Sequence, residues 1–154
     1  MAVLAARRRL AALACAAAAA LAPPACRGPA DPAAETVRSL VRDANHRDAG
    51  KIAAALASGF QGSGGMGRND LDAELRRLFA AYASVDVSVS GLAIERFPDF
   101  DLARFEASFH GSARKIGGLE ALLPSSARYR FEIRLARDGE RRLVTQAVWE
   151  EIPE

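Results

Sequence analysis

The stretch YRFEIRLARDGERRLVTQAVWE, residues 129–150, decides the fold because its apolar residues recur with a period of two. In the first half of the stretch, apolar and charged side chains alternate strictly, as they do in a half-buried strand. The apolar positions are Tyr129, Phe131, Ile133 and Leu135. Asp138-Gly139 then precedes a second run, from Leu143 to Glu150, and this dipeptide between two such runs is a strong hairpin signal. The stretch therefore predicts two antiparallel strands.

Two earlier segments predict two more strands. In the first, Val85, Val87 and Val89 alternate, and Gly91 shifts the phase before Leu92 and Ile94, which indicates a β-bulge. The second segment runs from about Asp101 to Gly111 and carries on one side Ala103, Phe105, Ala107 and Phe109. Together with the hairpin, these segments predict a four-stranded antiparallel meander.

Three helical patterns precede the strands. Asp31 caps the first helix, with Pro32 at its first position, and residues 45–47 end it. A second, shorter helix starts at Asp48, with Ile52, Ala55 and Leu56 facing inward, and Gly59 is placed to stop it. Asn69 or Asp70 caps the third helix, whose apolar face carries Leu71, Leu75, Leu78, Phe79 and Tyr82. This order predicts an α+β fold in which three N-terminal helices pack on one face of a sheet.

The same order resembles the nuclear transport factor 2-like superfamily over about residues 31–152. The resemblance rests on RDAGKIAAALASGFQG (47–62), on the hairpin YRFEIRLARDGERRLV (129–144) and on the terminal Trp149. It implies a cone, in which a curved antiparallel sheet of about four strands wraps the helices and leaves a pocket at one end. Some members are enzymes, such as ketosteroid isomerase and the polyketide cyclases, and many are binding or assembly domains.

In such a cone the inward side chains of the strands meet the third helix. The candidates for lining a pocket are Phe79, Tyr82, Phe105, Phe109, Tyr129 and Trp149, with Phe131 and Ile133 on the same face. Large apolar side chains at this periodicity are also what an ordinary core requires. The tyrosines and the tryptophan each add a polar tip that a ligand or a buried partner must satisfy. The pattern therefore leaves two alternatives, a plain core and a core with an apolar ligand pocket.

The residues for catalysis are missing where the resemblance places them. Isomerisation of the ketosteroid type needs a carboxylate base in the cone, just after the second helix, and the segment GFQGSGGMG (59–67) contains no acid. The inward strand positions are expected to hold no Asp or Glu, and Asp99 and Asp101 are assigned turn and capping roles. His46 and His110 are too far apart in sequence to indicate a metal site. We therefore expect no cofactor and no metal. The expected function is that of a binding domain, and a small isomerase or cyclase is the alternative.

The N-terminus predicts export. Arg7 to Arg9 and an apolar, alanine-rich run lead to Pro23-Pro24 and Cys26, the order of a signal peptide over 1–25. Cys26 follows the expected cut and resembles the lipidated residue of a bacterial lipoprotein, although the two prolines depart from that pattern. Residues 26–30 are then a tether and 31–154 the domain. The alternatives are ordinary cleavage without a lipid and an uncleaved anchor.

Removal of the signal changes the charge balance. Of 21 basic residues, three arginines leave with the signal, so 18 remain against 19 acidic residues. A near-neutral domain has no cationic field for nucleic acid. The predicted location is the bacterial cell envelope, on the periplasmic side, with an anchor at Cys26. The predicted partners are the membrane, reached through the lipid, and either a small apolar ligand or an envelope protein.

The connection RKIGGLEALLPSSA, residues 114–127, is too long to be only a turn between two strands. Its apolar residues are Ile116, Leu119, Leu122 and Leu123. They either close the base of the core or form a lid or docking surface, for which Gly117-Gly118 would be the hinge.

The outward strand positions form a face of mixed charge. These positions are Arg104, Glu106, His110, Arg128, Arg130, Glu132 and Arg134. Val144 and Val148 are expected to interrupt this face in the last strand. A wetted surface with cross-strand ion pairs is the plain interpretation. The resemblance also favours a homodimer that forms through the sheet.

Overall fold

The computed structural model describes residues 30–115 and 117–153. The predicted signal peptide, Cys26 and Ile116 lie outside the described residues, as does the side chain of Leu119. The described chain forms three helices and a five-stranded curved sheet, so the predicted α+β class is correct and the strand count is one higher.

Helix α1, Pro32–Asn45, begins as predicted, since the Asp31 carboxylate accepts a hydrogen bond of 2.9 Å from the Ala33 amide. Helix α2, Ala49–Ala54, is capped in the same way by Asp48, which accepts from the Lys51 amide at 3.0 Å. Helix α3, Arg68–Ala81, begins earlier than predicted, with Gly67 as its N-cap. The Asp70 carboxylate instead accepts from the Gly67 amide at 3.0 Å, from the first turn of the helix.

The prediction that the second helix continues to Gly59 was wrong. The helix ends at Ala54, and Leu56–Gly62 forms strand β1, the additional strand of the sheet. Leu56 and Phe60 are its buried positions, and a spacing of four residues fits a helix as well as an irregular strand. The Val144 amide of the last strand donates a 2.9 Å hydrogen bond to the Ala55 carbonyl. This contact holds the segment beside the last strand, where it forms a strand and not a helix.

The other four strands form the predicted antiparallel meander. They are β2 (Tyr82–Arg96), β3 (Phe100–Ala113), β4 (Ser126–Asp138) and β5 (Arg141–Glu151), in the sheet order β1-β5-β4-β3-β2. β1 pairs with β5 in parallel. Gly91 has φ 64° beside a register shift between Ser90 and Ala93, which confirms the predicted bulge in β2.

A bulge in β5 corrects the prediction for Val144. Leu135 pairs with Val144 whereas Arg134 pairs with Gln146, so Thr145 is an additional residue in β5. The bulge changes the phase of the strand, and Val144 turns inward, where it is 1% exposed. Val148 lies on the outer face as predicted and is 48% exposed.

The outer face carries the predicted cross-strand ion pairs. Arg104 contacts Glu132 at 2.8 Å and Glu95 at 2.9 Å, and Arg128 contacts Glu106 at 2.9 Å. These side chains are about half exposed, so each pair adds little stability and the face is wetted.

The core has two parts. One lies between α1, β1 and the middle of the sheet, around Val37, Leu135 and Val144. The other lies between α2, α3 and the start of β2, around Phe79 and Tyr82. Tyr82 was predicted on the third helix but is the first residue of β2, and it is fully buried. No helix in the described ranges is long and apolar enough to cross a membrane.

Candidate ligand-binding site

A cavity of about 410 Å³ lies between the three helices and the inner face of the sheet. Its walls include all six predicted pocket residues, Phe79, Tyr82, Phe105, Phe109, Tyr129 and Trp149. It lies towards the loop end of the domain, the end at which Pro124 precedes β4, and away from the hairpin end at Gly139. Leu78 lines the cavity and is 38% exposed, so the cavity reaches the surface beside α3. Its volume falls within the usual range for small-molecule sites.

Three aromatic rings on adjacent strands form one wall of this cavity. Phe105 and Phe131 are directly opposed on β3 and β4, with ring centroids 5.2 Å apart and planes 10° from parallel. Phe131 and Trp149 are opposed on β4 and β5, at 6.1 Å and 30°. The two phenylalanine rings are therefore stacked with an offset, whereas the indole is tilted against Phe131. Because side chains stand roughly perpendicular to a sheet, the stacked pair of Phe105 and Phe131 presents mainly ring edges to the cavity.

Strand β1 makes room for Trp149, a role that the sequence reasoning missed. A Cβ atom at Gly62 would lie 3.2 Å from Cη2 of the indole, so a glycine suits this position. The Ser63 hydroxyl accepts from the Trp149 amide at 2.9 Å and donates to the Trp149 carbonyl at 3.4 Å. The only sequence signal for these contacts was the run of glycines and serine after Phe60.

Tyr82 connects the cavity to the long loop. Its hydroxyl donates a 2.7 Å hydrogen bond to the Pro124 carbonyl, and its ring contacts Phe109 edge to face at 5.3 Å. Burial raises the pKa of the Tyr82 hydroxyl, and the neighbouring Tyr129 adds to this rise. The Tyr82 hydroxyl is therefore protonated at neutral pH, and its proton is used in the hydrogen bond to the loop.

The cavity wall has two other polar groups, the Tyr129 hydroxyl and the Trp149 indole N–H. In the described part of the chain, no residue hydrogen-bonds to the Tyr129 hydroxyl or to the Trp149 indole N–H. Burial raises the pKa of Tyr129, and the negative charge of Glu151 raises it further. Glu151 is paired directly opposite Tyr129 and is exposed, so its carboxylate stands at the rim of the inner face.

The expectation that no acid occupies an inward strand position was wrong at two positions. Glu151 shares the inner face at its rim, and Asp101 shares it at the hairpin end. Asp101 was assigned a turn or capping role, but it lies within β3 and is 0% exposed. It was missed because its partners, Arg137 and Arg142, lie on strands far along the chain.

Three arginines neutralise Asp101. Arg142 Nε lies 2.8 Å from one carboxylate oxygen, and Arg137 and Arg96 lie 3.3 Å and 3.5 Å from the other. Burial by itself would raise the pKa of Asp101, but these hydrogen bonds and charges outweigh it and hold the pKa below its ordinary value. Asp101 is therefore a fixed structural charge, and it does not line the cavity.

Among the described residues, the cavity lining contains no carboxylate, imidazole, lysine, arginine or thiol, and its titratable groups are the hydroxyls of Tyr82 and Tyr129. The rest of the described lining consists of aliphatic side chains, phenylalanines, one proline and Trp149. His46 lies at the end of α1 and His110 is paired opposite Asp86 on the sheet, and neither histidine lines the cavity. No group of three metal-ligating side chains occurs within the described ranges.

The structure separates the leucines of the long loop. A 3-10 turn spans Leu119–Leu122, after Gly117 and Gly118 at φ 62° and 93°. Leu123 packs against the core around Tyr82, whereas Leu122 is 78% exposed. The core-closing role thus fits Leu123, and Leu122 is available for contacts outside the domain.

No protein-family model and no curated protein matches this sequence. Solved structures do match. A protein named as a scytalone dehydratase from Novosphingobium aromaticivorans superposes with a TM-score of 0.69 at 9% identity, over 79% of this chain and 83% of its own. A nuclear transport factor 2-like superfamily protein from Salmonella enterica gives 0.63 at 11%, over 78% and 88%.

Bd1075 from Bdellovibrio bacteriovorus superposes with a TM-score of 0.65 at 14% identity over 78% of this chain, which spans only 40% of Bd1075. At these identities the similarity shows the fold alone. The shared fold is the one that the sequence resemblance implied, a cone of three helices and a curved sheet. The chain has the nuclear transport factor 2-like fold.

Proposed function

We propose that this domain is a non-catalytic binding protein that holds a small, uncharged, apolar molecule in its cone. The observation that carries the proposal is the cavity of about 410 Å³, whose described lining contains no Asp, Glu, His, Lys or Arg. Pockets with apolar walls and a few polar groups are typical of small-molecule sites. An apolar ligand would replace water along these walls, and removal of apolar surface from water would drive its binding.

Catalysis by a small isomerase or cyclase is the alternative, and structures of this fold include a protein named as a dehydratase. Isomerisation of the ketosteroid type needs a carboxylate base within reach of the ligand. Asp101 is occupied by three arginines, and Glu151 stands at the rim rather than in the lining. An activity on a ketone or alcohol that is lost in Glu151→Gln, with folding intact, would overturn the non-catalytic part of the proposal.

The setting proposed for this domain is the bacterial cell envelope, with a lipid on Cys26. Five residues separate Cys26 from Pro32, the first residue of α1. Extended chain spans about 3.5 Å per residue, so this tether would keep the domain within about 20 Å of the membrane surface. An envelope protein is the other candidate partner, and Leu122 would be a contact for it. A homodimer through the outer face of the sheet is part of the same proposal.

Binding is tested with Nile red, an uncharged apolar dye whose fluorescence rises in apolar surroundings. We expect saturable one-to-one binding that is lost in Ala107→Trp, because Ala107 lines the cavity and a large ring there would fill it. Val148→Trp adds the same ring to the outer face and should leave binding unchanged. Mass spectrometry of an organic extract of the purified protein would identify a natural ligand. Equal dye binding by both variants would refute the cavity as the site.

A further inference from the structure

Two hydrogen-bond donors in the cavity wall have no acceptor among the described residues. The Tyr82 hydroxyl already donates to the Pro124 carbonyl. The Tyr129 hydroxyl and the Trp149 indole N–H have no hydrogen-bond partner within the described residues, although both side chains are half-buried and line the cavity. A half-buried donor that faces an apolar cavity loses water when a ligand enters, so a ligand with a matching acceptor is favoured over one without.

The two donors lie close enough to serve one ligand. Phe131 is paired opposite Trp149, and Tyr129 is two residues from Phe131 on the same strand and the same face. Tyr129 and Trp149 are therefore diagonal neighbours on β4 and β5, a relation that places Cα atoms about 7–8 Å apart. Side chains as long as tyrosine and tryptophan can converge across that distance.

The surroundings of the donors select against charge. The described lining contains no Lys, Arg or His to neutralise an anion, and the Glu151 carboxylate at the rim would repel one. A cation would need ring faces. The rings of Phe105 and Phe131 are stacked, so each covers a face of the other and leaves mainly its edge, which carries partial positive charge, to a ligand.

We propose that Tyr129 and Trp149 form a hydrogen-bonding subsite that selects an uncharged ligand with an oxygen acceptor, such as a ketone, ester or ether. This inference rests on the proposed binding function and adds the chemical class of the ligand. The ligand enters with its apolar body among the aliphatic residues of the helices and keeps its acceptor beside β4 and β5. Tyr129 and Trp149 are then the residues that determine specificity.

Isothermal titration calorimetry with four naphthalene probes of similar size tests the subsite. 2-Acetylnaphthalene and 2-isopropenylnaphthalene have the same shape, but only the ketone carries an acceptor. 2-Naphthoate and trimethyl(2-naphthyl)ammonium add a negative and a positive charge. We expect the neutral ketone to bind most tightly. In Tyr129→Phe, and separately in Trp149→Phe, the ratio of the alkene Kd to the ketone Kd should fall about 3- to 10-fold. Val148→Ala, on the outer face, should keep the wild-type ratio.

Other results of the titrations would refute either the subsite or the proposed binding function. If the ketone and the alkene both bind and their ratio is the same in the wild type and in both variants, the subsite is wrong and the cavity remains a binding site. Tightest binding of the naphthoate or the ammonium probe also overturns the subsite. If none of the four probes binds at its solubility limit, the proposed binding function fails together with the inference. Circular dichroism of each variant establishes that it is folded.

Discussion

Replacement of Asp101 by asparagine should be the most informative change in stability, because it removes one charge from the middle of a cationic cluster. Asp101 is 0% exposed, and its hydrogen bond to Arg142 is 2.8 Å long, with Arg142 itself only 12% exposed. A charge-assisted hydrogen bond of this kind contributes about 1.5–3 kcal/mol. The pairs with Arg96 and Arg137 are longer and half exposed, so they add little. We expect Asp101→Asn to lower the free energy of unfolding by about 2–4 kcal/mol.

The assay is urea unfolding of the wild type and Asp101→Asn between pH 3 and pH 7. The pKa of Asp101 is lowered in the folded state, so its contribution is fully present above the pKa of an unfolded aspartate, about 3.9, and is lost as pH falls from there through the lower pKa of the folded state. The two proteins should therefore differ most near pH 7, and the difference should begin to shrink as pH falls below about 4. At pH 7 the difference corresponds to a fall in Tm of about 10 °C for a domain of this size.

Asp99→Asn is the matched control, because Asp99 is exposed and lies two residues away. It should change the free energy of unfolding by less than about 0.5 kcal/mol. If Asp101→Asn is as stable as this control at pH 7, or if the difference between Asp101→Asn and the wild type grows as the pH falls, the reasoning about the buried carboxylate is wrong.

Three other predictions concern packing, the loop and the anchor. Gly111→Ala should lower the free energy of unfolding by about 1–3 kcal/mol, because the added Cβ would lie 2.6 Å from Phe109 and 2.7 Å from Tyr82. The control in thermal unfolding is Gly59→Ala, because a Cβ at Gly59 would have no atom within 4 Å. Leu123→Ser should cost about 1–2 kcal/mol while Leu122→Ser costs less than about 0.5, and a reversed order in urea unfolding would contradict their placement. Intact-mass measurement of membrane-extracted protein should give a chain that starts at Cys26 with acyl groups, and Cys26→Ser should release it into the soluble fraction; an unmodified thiol would exclude the anchor.

Much of this protein could be predicted from the sequence because the relevant signal is local. The alternation in β4 and β3 assigns Tyr129, Phe131, Phe105 and Phe109 to one face without any knowledge of their partners. The caps at Asp31 and Asp48 likewise act on amides two or three residues away, so the helix starts are readable from the sequence. The aromatic wall of the cavity was predictable for the same reason.

The tertiary structure decided what depends on partners distant in sequence. Leu56 and Phe60 fit two periods, and only pairing with β5 makes their segment a strand. The bulge at Thr145 turns Val144 inward because of the register with β4. Asp101 is an inner, buried charge because arginines 36 and 41 residues further along the chain surround it. The cavity also depends on distant partners. Its volume is the space left between the helices and the sheet, and the local sequence pattern of one element does not determine that space.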